Sequence, residues 1–206
     1  MTASRLFLVR HAQTASNVAQ TLGAAPDDPL DPLGERQARA VAAHFAALRL
    51  PDPRVYTSPY RRAQQTAQAI AEALGVSVTP LDGVQEFQTG TWAGRPYRHL
   101  QTHLHEWQHA DGTPGFPGGE SLRGAAQRFQ AALASVLEAP GTPIVVSHGG
   151  VLAAGLALLL KADLLEAWRA GRFTHSNAAV TELRLHQGVW RPQRLADQAH
   201  LPDELH

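Results

Sequence analysis

The chain has 206 residues with 18 basic and 18 acidic side chains, so its formal net charge at neutral pH is zero. No overall field therefore attracts it to nucleic acid or to an anionic membrane, and we expect neither partner. It contains no cysteine, which excludes disulfides, a thiolate nucleophile and cysteine zinc sites. The longest apolar run, VLAAGLALLL, is too short to span a bilayer, and the N-terminal apolar stretch is too short for a secretory signal. We predict a cytoplasmic protein in which residues 1–206 form one domain.

The first half of the chain alternates between predicted strands and helices. RLFLV at 5–9 predicts a strand, an alanine-rich segment at 35–48 predicts a helix, and RVYTS at 54–58 predicts a second strand. The next predicted helix has Ser58 as its N-cap, Pro59 in its first turn and Gly75 at its C-terminal stop.

The second half continues the alternation after an interruption. VSVTPL precedes an irregular segment at 82–119, rich in Gly, His and Pro, which we interpret as a lid or insertion. A helix at 121–137, a buried strand PIVVSH, an apolar helix and two alternating segments at 178–186 and 189–197 follow. This order predicts an α/β fold: a three-layer α/β/α sandwich with a mostly parallel sheet and helices on both faces.

Three clusters of charged or imidazole side chains follow predicted strands. They are Arg10-His11, the turn from Ser58 to Arg62, and Ser147-His148-Gly149-Gly150. In an open parallel sheet, ligands bind beyond the carboxyl ends of the strands, so we expect all three clusters to line one crevice.

The residue types in these clusters indicate a phosphate site. Arginine forks and free N–H groups at a glycine-containing helix N-terminus match the oxygens of a dianionic phosphate. A neutral imidazole is the strongest candidate nucleophile, because the chain lacks cysteine and a dianion repels carboxylates. One histidine would attack phosphorus while the other donates to the phosphoryl oxygens.

Five motifs occur in one order across most of the chain. The R-H-G-[EQ]-T-x-x-N motif is matched by Arg10, His11, Gln13, Thr14 and Asn17, with Ala12 where glycine is usual. The S-x-x-x-R-A-x-x-T-A motif is matched by Ser58, Arg62, Ala63, Thr66 and Ala67. The remaining three are matched by Glu86, Gly90, Trp92 and Gly94, by Pro117 to Ser121, and by Ser147 to Gly150. With these motifs the chain resembles the histidine phosphatase superfamily, also called the phosphoglycerate mutase-like family.

The resemblance implies a role for each matched residue. It implies that His11 is phosphorylated and that Glu86 protonates the leaving alcohol and then acts as base for water. The implied phosphate-binding residues are Arg10, Arg62, His148, Asn17, Thr14 and the backbone N–H of Gly149. No metal or other cofactor is implied. Ala12 adds a Cβ beside the phosphate and disfavours positive φ, a departure that we expect the pocket to tolerate.

Two activities and one inactive class fit the same pocket. The first is a metal-independent phosphomonoesterase, a phosphoric monoester hydrolase of the histidine acid phosphatase type, acting on a small phosphorylated metabolite. The alternative is a cofactor-dependent phosphoglycerate mutase, but between Gly94 and Gly119 only Arg95 and Arg98 supply further basic side chains, which favours hydrolysis. A phosphate-binding module without turnover is disfavoured because nucleophile, clamp and acid all have candidates.

The string HEWQH, His105 to His109, matches the H-E-x-x-H pattern of zinc metalloproteases and gives a distant peptidase alternative. Gly115 occupies the place of the third histidine in the longer metzincin pattern, and the glycines and prolines that follow would end the helix. Adventitious metal binding by His99, His103, His105 and His109 stays open.

The segment at 95–117 is predicted to cover the leaving group. Its Tyr97, Trp107, Phe116 and histidines indicate an amphipathic pocket suited to a sugar phosphate, a nucleotide or a riboside phosphate. The physiological substrate and the oligomeric state stay open at this stage.

Overall fold

In the computed structural model, which describes residues 3–206, a six-stranded sheet forms the centre of the protein. Its strands are β1 (Arg5–Arg10), β2 (Pro53–Thr57), β3 (Val78–Pro80), β4 (Thr142–Ser147), β5 (Val180–His186) and β6 (Val189–Asp197). The spatial order is β3-β2-β4-β1-β5-β6. Strands β1 to β4 are parallel to one another, β5 is antiparallel to β1, and β6 is antiparallel to β5. The predicted α/β class and mostly parallel sheet are confirmed.

Helices cover both faces of the sheet. They are α1 (Ala15–Val18), α2 (Pro32–Ala47), α3 (Arg61–Leu74), α4 (Arg98–Thr102), α5 (Leu122–Leu137), α6 (Gly149–Leu159) and α7 (Leu164–Arg169). Asp31 and Ser121 cap α2 and α5 by accepting the N–H groups of Gly34 and Gly124. Gly75 ends α3 in the left-handed region, at φ 68°.

The alternation of side chains along β1 divides the core into two layers. Leu6 and Leu8 pack with residues of α5 and α6, whereas Phe7 and Val9 pack with residues of α2 and α3. All six residues of β4 are buried, as expected for a central parallel strand covered on both faces. The observed layers are therefore helix, sheet, helix, as the sequence predicts.

The predicted start of the third helix is wrong. Ser58 is not the N-cap of α3, because β2 is followed by a turn and Tyr60 occupies the capping position without a side-chain hydrogen bond. The Ser58 hydroxyl instead accepts the N–H of Tyr60 and bonds His148. The residue predicted to cap the helix is therefore part of the candidate site.

The irregular segment at 82–119 contains only short elements. These are α4 and two 3-10 turns, Gly90–Trp92 and Leu104–Glu106. Buried aromatic side chains, among them Trp92, Trp107 and Phe116, hold it against α5 and α6. No helix in the described part of the chain is long and apolar enough to cross a membrane.

Candidate active site

The three predicted clusters meet at the carboxyl edge of the sheet. Arg10 pairs with Ser147 in the parallel register of β1 and β4, and the N–H of His11 donates to the Ser147 carbonyl over 2.9 Å. The N–H of Ser58 donates to the Val146 carbonyl over 3.0 Å, which brings the end of β2 to the same edge. A cavity of about 660 Å³ opens there. Six of the predicted site residues line it: Arg10, His11, Asn17, Arg62, Glu86 and Gly149.

The His11 ring is held with its Nε2 atom as a hydrogen-bond acceptor. Its Nδ1 lies 2.7 Å from the Ala12 carbonyl, an acceptor, so Nδ1 carries the proton. The Nε of Arg62 lies 3.2 Å from His11 Nε2, and a guanidinium can only donate. Burial, followed by the charges of Arg10 and Arg62, holds the pKa of His11 well below its usual value. His11 is therefore a neutral imidazole with a lone pair on Nε2 at pH 7.

His148 stands beside His11 as a second buried imidazole. The two ring centroids are 5.1 Å apart, and His148 Nε2 lies 2.8 Å from the Ser58 hydroxyl. Burial, followed by electrostatic interaction with His11 and Arg62, lowers the pKa of His148 well below its usual value. Its Nδ1 is buried without a protein partner, so the ring still has one hydrogen bond to offer. His148 lies behind the cavity wall rather than in it.

Two arginines bring positive charge to the cavity. Arg10 donates through Nη1 to the His175 carbonyl over 2.6 Å, and its Nε is buried without a protein partner. Arg62 donates through Nη1 to the Ala25 carbonyl over 2.9 Å. Within residues 3–206, neither guanidinium forms a salt bridge with a carboxylate. Two nearly buried cations held by carbonyl groups leave charge available for an anion.

Asn17 presents its amide nitrogen to the cavity. Its Oδ1 accepts from the N–H of Thr14 and from Nδ2 of Asn177, at 3.2 and 2.9 Å. The free donors of Asn17 are therefore those of Nδ2. Thr14 is fully buried and accepts the Asn17 N–H as the cap of α1, so it positions Asn17 and does not line the cavity.

Glu86 lies at the N-terminus of α6. Its carboxylate accepts the N–H groups of Gly150 and Val151, each at 2.9 Å, and that of Phe87 at 3.0 Å. These bonds and the helix dipole fix the carboxylate in the cavity wall. Gly150 is required here, because a Cβ at this position would lie 2.8 Å from Glu86 Oε1.

Ala12 does not narrow the cavity. It is fully buried in a cluster with Leu30, Ala38 and Ala178, and it does not line the cavity or adopt positive φ. The Cβ that replaces the usual glycine hydrogen faces the core, so the pocket accommodates this departure from the motif.

The outer cavity differs in part from the expected amphipathic pocket. Tyr97 and Phe116 line it as predicted, but Trp107 is buried behind the wall and stacks on Trp168, with ring centroids 5.6 Å apart. His99 and His103 do not line it. Trp168, on α7, was missed by sequence reasoning. The sequence does contain a signal for its helix, because Asp163 is the N-cap and Glu166 follows three residues later.

Asn177 is the second residue that sequence reasoning missed. Its Nδ2 donates to the His11 carbonyl over 3.1 Å as well as to Asn17. It lies in a short loop before β5, and its sequence neighbours form no recognisable motif.

The zinc metalloprotease hypothesis requires two histidines one helical turn apart, and the structure does not place them so. His105 lies in the 3-10 turn at Leu104–Glu106, and the chain leaves helical geometry at Trp107, with ψ 71°. His109 instead contacts Asp111, with Nδ1 3.0 Å from the carboxylate. Across residues 3–206, no group of three or more His, Asp or Glu side chains is arranged to hold a metal ion, the histidines at 99–109 included.

Two buried histidines in contact, two arginines beside them and the Glu86 carboxylate in the same cavity are the groups that a phosphoryl-transfer site requires. Comparison with known families gives the same class. The profile described as "Histidine phosphatase superfamily (branch 1)" matches residues 6–198, and the chain belongs to this superfamily.

Individual relatives include both mutases and phosphatases. A probable phosphoglycerate mutase, GpmB, of Yersinia enterocolitica is 37% identical over 208 residues, covering 96% of this chain and 94% of the relative. The mycobacterial glucosyl-3-phosphoglycerate phosphatase complexed with VO3 superimposes with a TM-score of 0.82 at 28% identity, covering 95% of this chain and all of that one. A phosphoserine phosphatase mutant of Entamoeba histolytica, complexed with phosphoserine, has a TM-score of 0.82 at 25% identity, covering 97% and 100%. The chain is thus a phosphatase- or mutase-type enzyme.

Proposed function

We propose that the protein is a metal-independent phosphomonoesterase that works through a phosphohistidine at His11. The observation that carries this proposal is the state of the His11 ring. Its Nδ1–H is bonded to the Ala12 carbonyl, and its Nε2 lone pair faces the Arg62 guanidinium. A neutral imidazole held between cations is a nucleophile that attracts the anion it must attack.

The first step forms a bond from His11 Nε2 to phosphorus and breaks the bond from phosphorus to the ester oxygen. Glu86, entering as the carboxylic acid, gives its proton to that oxygen, so the alcohol leaves neutral. Arg10 and Arg62 donate to the phosphoryl oxygens, whose charge spreads in the transition state, and His148 packs against the His11 ring.

The second step returns the enzyme to its starting state. Water attacks phosphorus, Glu86 accepts its proton, and the bond between phosphorus and Nε2 breaks. Inorganic phosphate leaves, and His11 is again neutral. The Nδ1–H to Ala12 hydrogen bond keeps the ring orientation fixed through both steps.

The composition of the cavity wall supports hydrolysis over mutase activity. A phosphoglycerate carries a carboxylate beside its phosphate. The phosphorylated form of a mutase must keep this phosphoglycerate bound until the phosphoryl group has been returned to it. Beyond Arg10 and Arg62, the described part of the chain contributes one more arginine to the cavity lining, Arg169, which is exposed. The mutase remains the second candidate because the Yersinia relative carries that name.

The test measures phosphate release from p-nitrophenyl phosphate and 3-phosphoglycerate in excess EDTA. Formation of 2-phosphoglycerate is followed in parallel with 2,3-bisphosphoglycerate supplied. We expect release that survives EDTA, that is lost in His11→Ala and that is retained in the control His186→Ala, an exposed histidine outside the cavity. Isomerisation with little free phosphate would establish the mutase instead, and activity that needs added metal would refute the proposed chemistry.

A further inference from the structure

Large apolar side chains form a second part of the cavity lining, beside the residues that would bind phosphate. We call this surface the apolar wall, and it consists of Leu22, Phe87, Leu100, Leu104, Phe116 and Trp168. It combines residues of the segment 82–119 with residues near α1 and on α7. Its members are far apart in sequence, and it forms only when these elements pack together.

The aromatic side chains of the apolar wall pack against one another and adjoin the proposed acid. The ring of Phe87 packs against Phe116 and Trp168, with centroids 5.6 and 5.4 Å apart in edge-to-face geometry. Trp168 is backed by the stacked ring of Trp107. Phe87 directly follows Glu86 and donates its N–H to that carboxylate. An alcohol that Glu86 protonates therefore has its first carbons beside Phe87.

The charges around this part of the cavity are few. Among the residues of 3–206 that line the cavity, Glu86 is the one acidic residue, and the one cation outside the phosphate-binding cluster is Arg169, which is exposed. The rim has two partly exposed side chains, Tyr97 at 38% and Leu104 at 44%. A carboxylate or a second phosphate on the alcohol would lose hydration against this wall without gaining an enclosed ionic partner.

We infer that the substrates are phosphate monoesters of bulky, uncharged, apolar alcohols whose carbon skeleton lies along the apolar wall. This inference rests on the proposed function and names its leaving group. A cavity of about 660 Å³ lies within the range that encloses ligands much larger than phosphoglycerate, roughly 300–1,000 Å³. The sugar phosphate or nucleotide expected from the sequence is the alternative ligand class, because Thr21, Thr89, Gln101 and Thr174 also line the cavity.

The experiment compares ethyl, butyl and hexyl phosphate, whose leaving alcohols differ in length but hardly in acidity. We expect kcat/KM to rise about threefold to fourfold for each added methylene, since each buried methylene is worth about 0.8 kcal/mol. We also expect phosphoserine and 3-phosphoglycerate to be poorer substrates than butyl phosphate, which has a similar size. A flat series, or a preference for the charged esters, overturns the inference.

Two leucine variants locate the length dependence. Leu104→Glu places a charge on the apolar wall, whereas Leu195→Glu places one on β6, at a leucine of similar exposure, 42% against 44%, that does not line the cavity. We expect Leu104→Glu to reduce the hexyl-to-ethyl ratio of kcat/KM at least about fivefold and Leu195→Glu to leave it unchanged. Equal ratios in the two variants would show that the length dependence arises elsewhere and would refute the assignment.

A binding measurement separates this inference from the proposed function. Hexylphosphonate and ethylphosphonate, which cannot be hydrolysed, are titrated into the wild-type protein calorimetrically. We expect tighter binding of the hexyl compound by about 10²-fold, because four additional methylenes are buried. Tighter binding of hexylphosphonate without turnover of any ester would refute the proposed phosphatase activity and support the ligand class. Turnover of all esters with equal affinities for the two phosphonates would support the phosphatase activity and refute the ligand class.

Discussion

The two ends of the cavity are built in different ways. The phosphate end takes Arg10, His11 and Gly149 from the ends of neighbouring strands and the start of α6, all fixed by the register of the sheet. The apolar wall takes most of its residues from short helices, turns and loops that follow no regular repeat. In the proposed function this difference separates chemistry from specificity: the sheet edge would bind the phosphoryl group, and the segment packed over it would select the alcohol.

The largest expected effect at the phosphate end belongs to Arg62. Arg62→Lys should lower kcat/KM about 10²- to 10³-fold for every ester alike, because its guanidinium lies beside His11 Nε2, where the phosphoryl group common to all substrates is proposed to react. Arg61→Lys, at the exposed neighbour, is the matched control. A loss that varies with the size of the alcohol would contradict the division between the two ends.

Glu86 lies where the two ends meet, and its substitution tests the boundary. Glu86→Gln should slow alkyl phosphates about 10²-fold or more, the range of general acid catalysis. It should slow p-nitrophenyl phosphate less than about tenfold, since that leaving group needs no proton. The effect should follow the acidity of the alcohol and not its length. Equal slowing of both ester types, with Glu138→Gln as the exposed control, would argue against the acid role.

Burial of the phosphate end predicts a cost in stability at low pH. Burial lowers the pKa of His175, whose carbonyl accepts from Arg10, from 6.5 to about 4. As the pH falls, the unfolded chain therefore binds a proton at His175 before the folded chain does. The free energy of unfolding that is present above pH 6.5 decreases by about 3 kcal/mol as the pH approaches 4. Urea unfolding of wild type and His175→Gln at pH 7 and 4 should show a smaller loss in the variant. Parallel losses would exclude His175 as a source.

Asn177 gives the smallest effect, because it acts through other residues. Removing its bonds to Asn17 and to the His11 carbonyl should lower kcat/KM about tenfold, the value of one or two hydrogen bonds. Asn177→Asp should be worse than Asn177→Ala, since a carboxylate would face Asn17 Oδ1. The opposite order would show that Asn177 serves packing and does not position Asn17.

The same division explains what the sequence could predict. The strands β1, β2 and β4 are short apolar runs with clear ends, and parallel strands bring their carboxyl ends to one edge. Arg10, His11 and His148 could therefore be grouped from the order of the chain alone. The apolar wall could not, because Phe87, Leu104 and Trp168 meet only through tertiary packing of short elements without periodicity.

Two local errors have physical causes. Ser58 followed by proline is typical of a helix start, but a bond to His148, 90 residues away, takes its hydroxyl. HEWQH has the spacing of a zinc site, yet the chain around it forms a 3-10 turn rather than the required helix. In both places a long-range or backbone constraint overrides the local pattern.

The most direct test of the phosphohistidine is to trap it. The enzyme is mixed with p-nitrophenyl phosphate, quenched at alkaline pH within milliseconds, digested and analysed by mass spectrometry and phosphorus NMR. We predict one phosphoryl group on His11, at Nε2, because Nδ1 is bonded to the Ala12 carbonyl. Phosphate on His148, on Nδ1 of His11, or on no residue while turnover proceeds would contradict the mechanism.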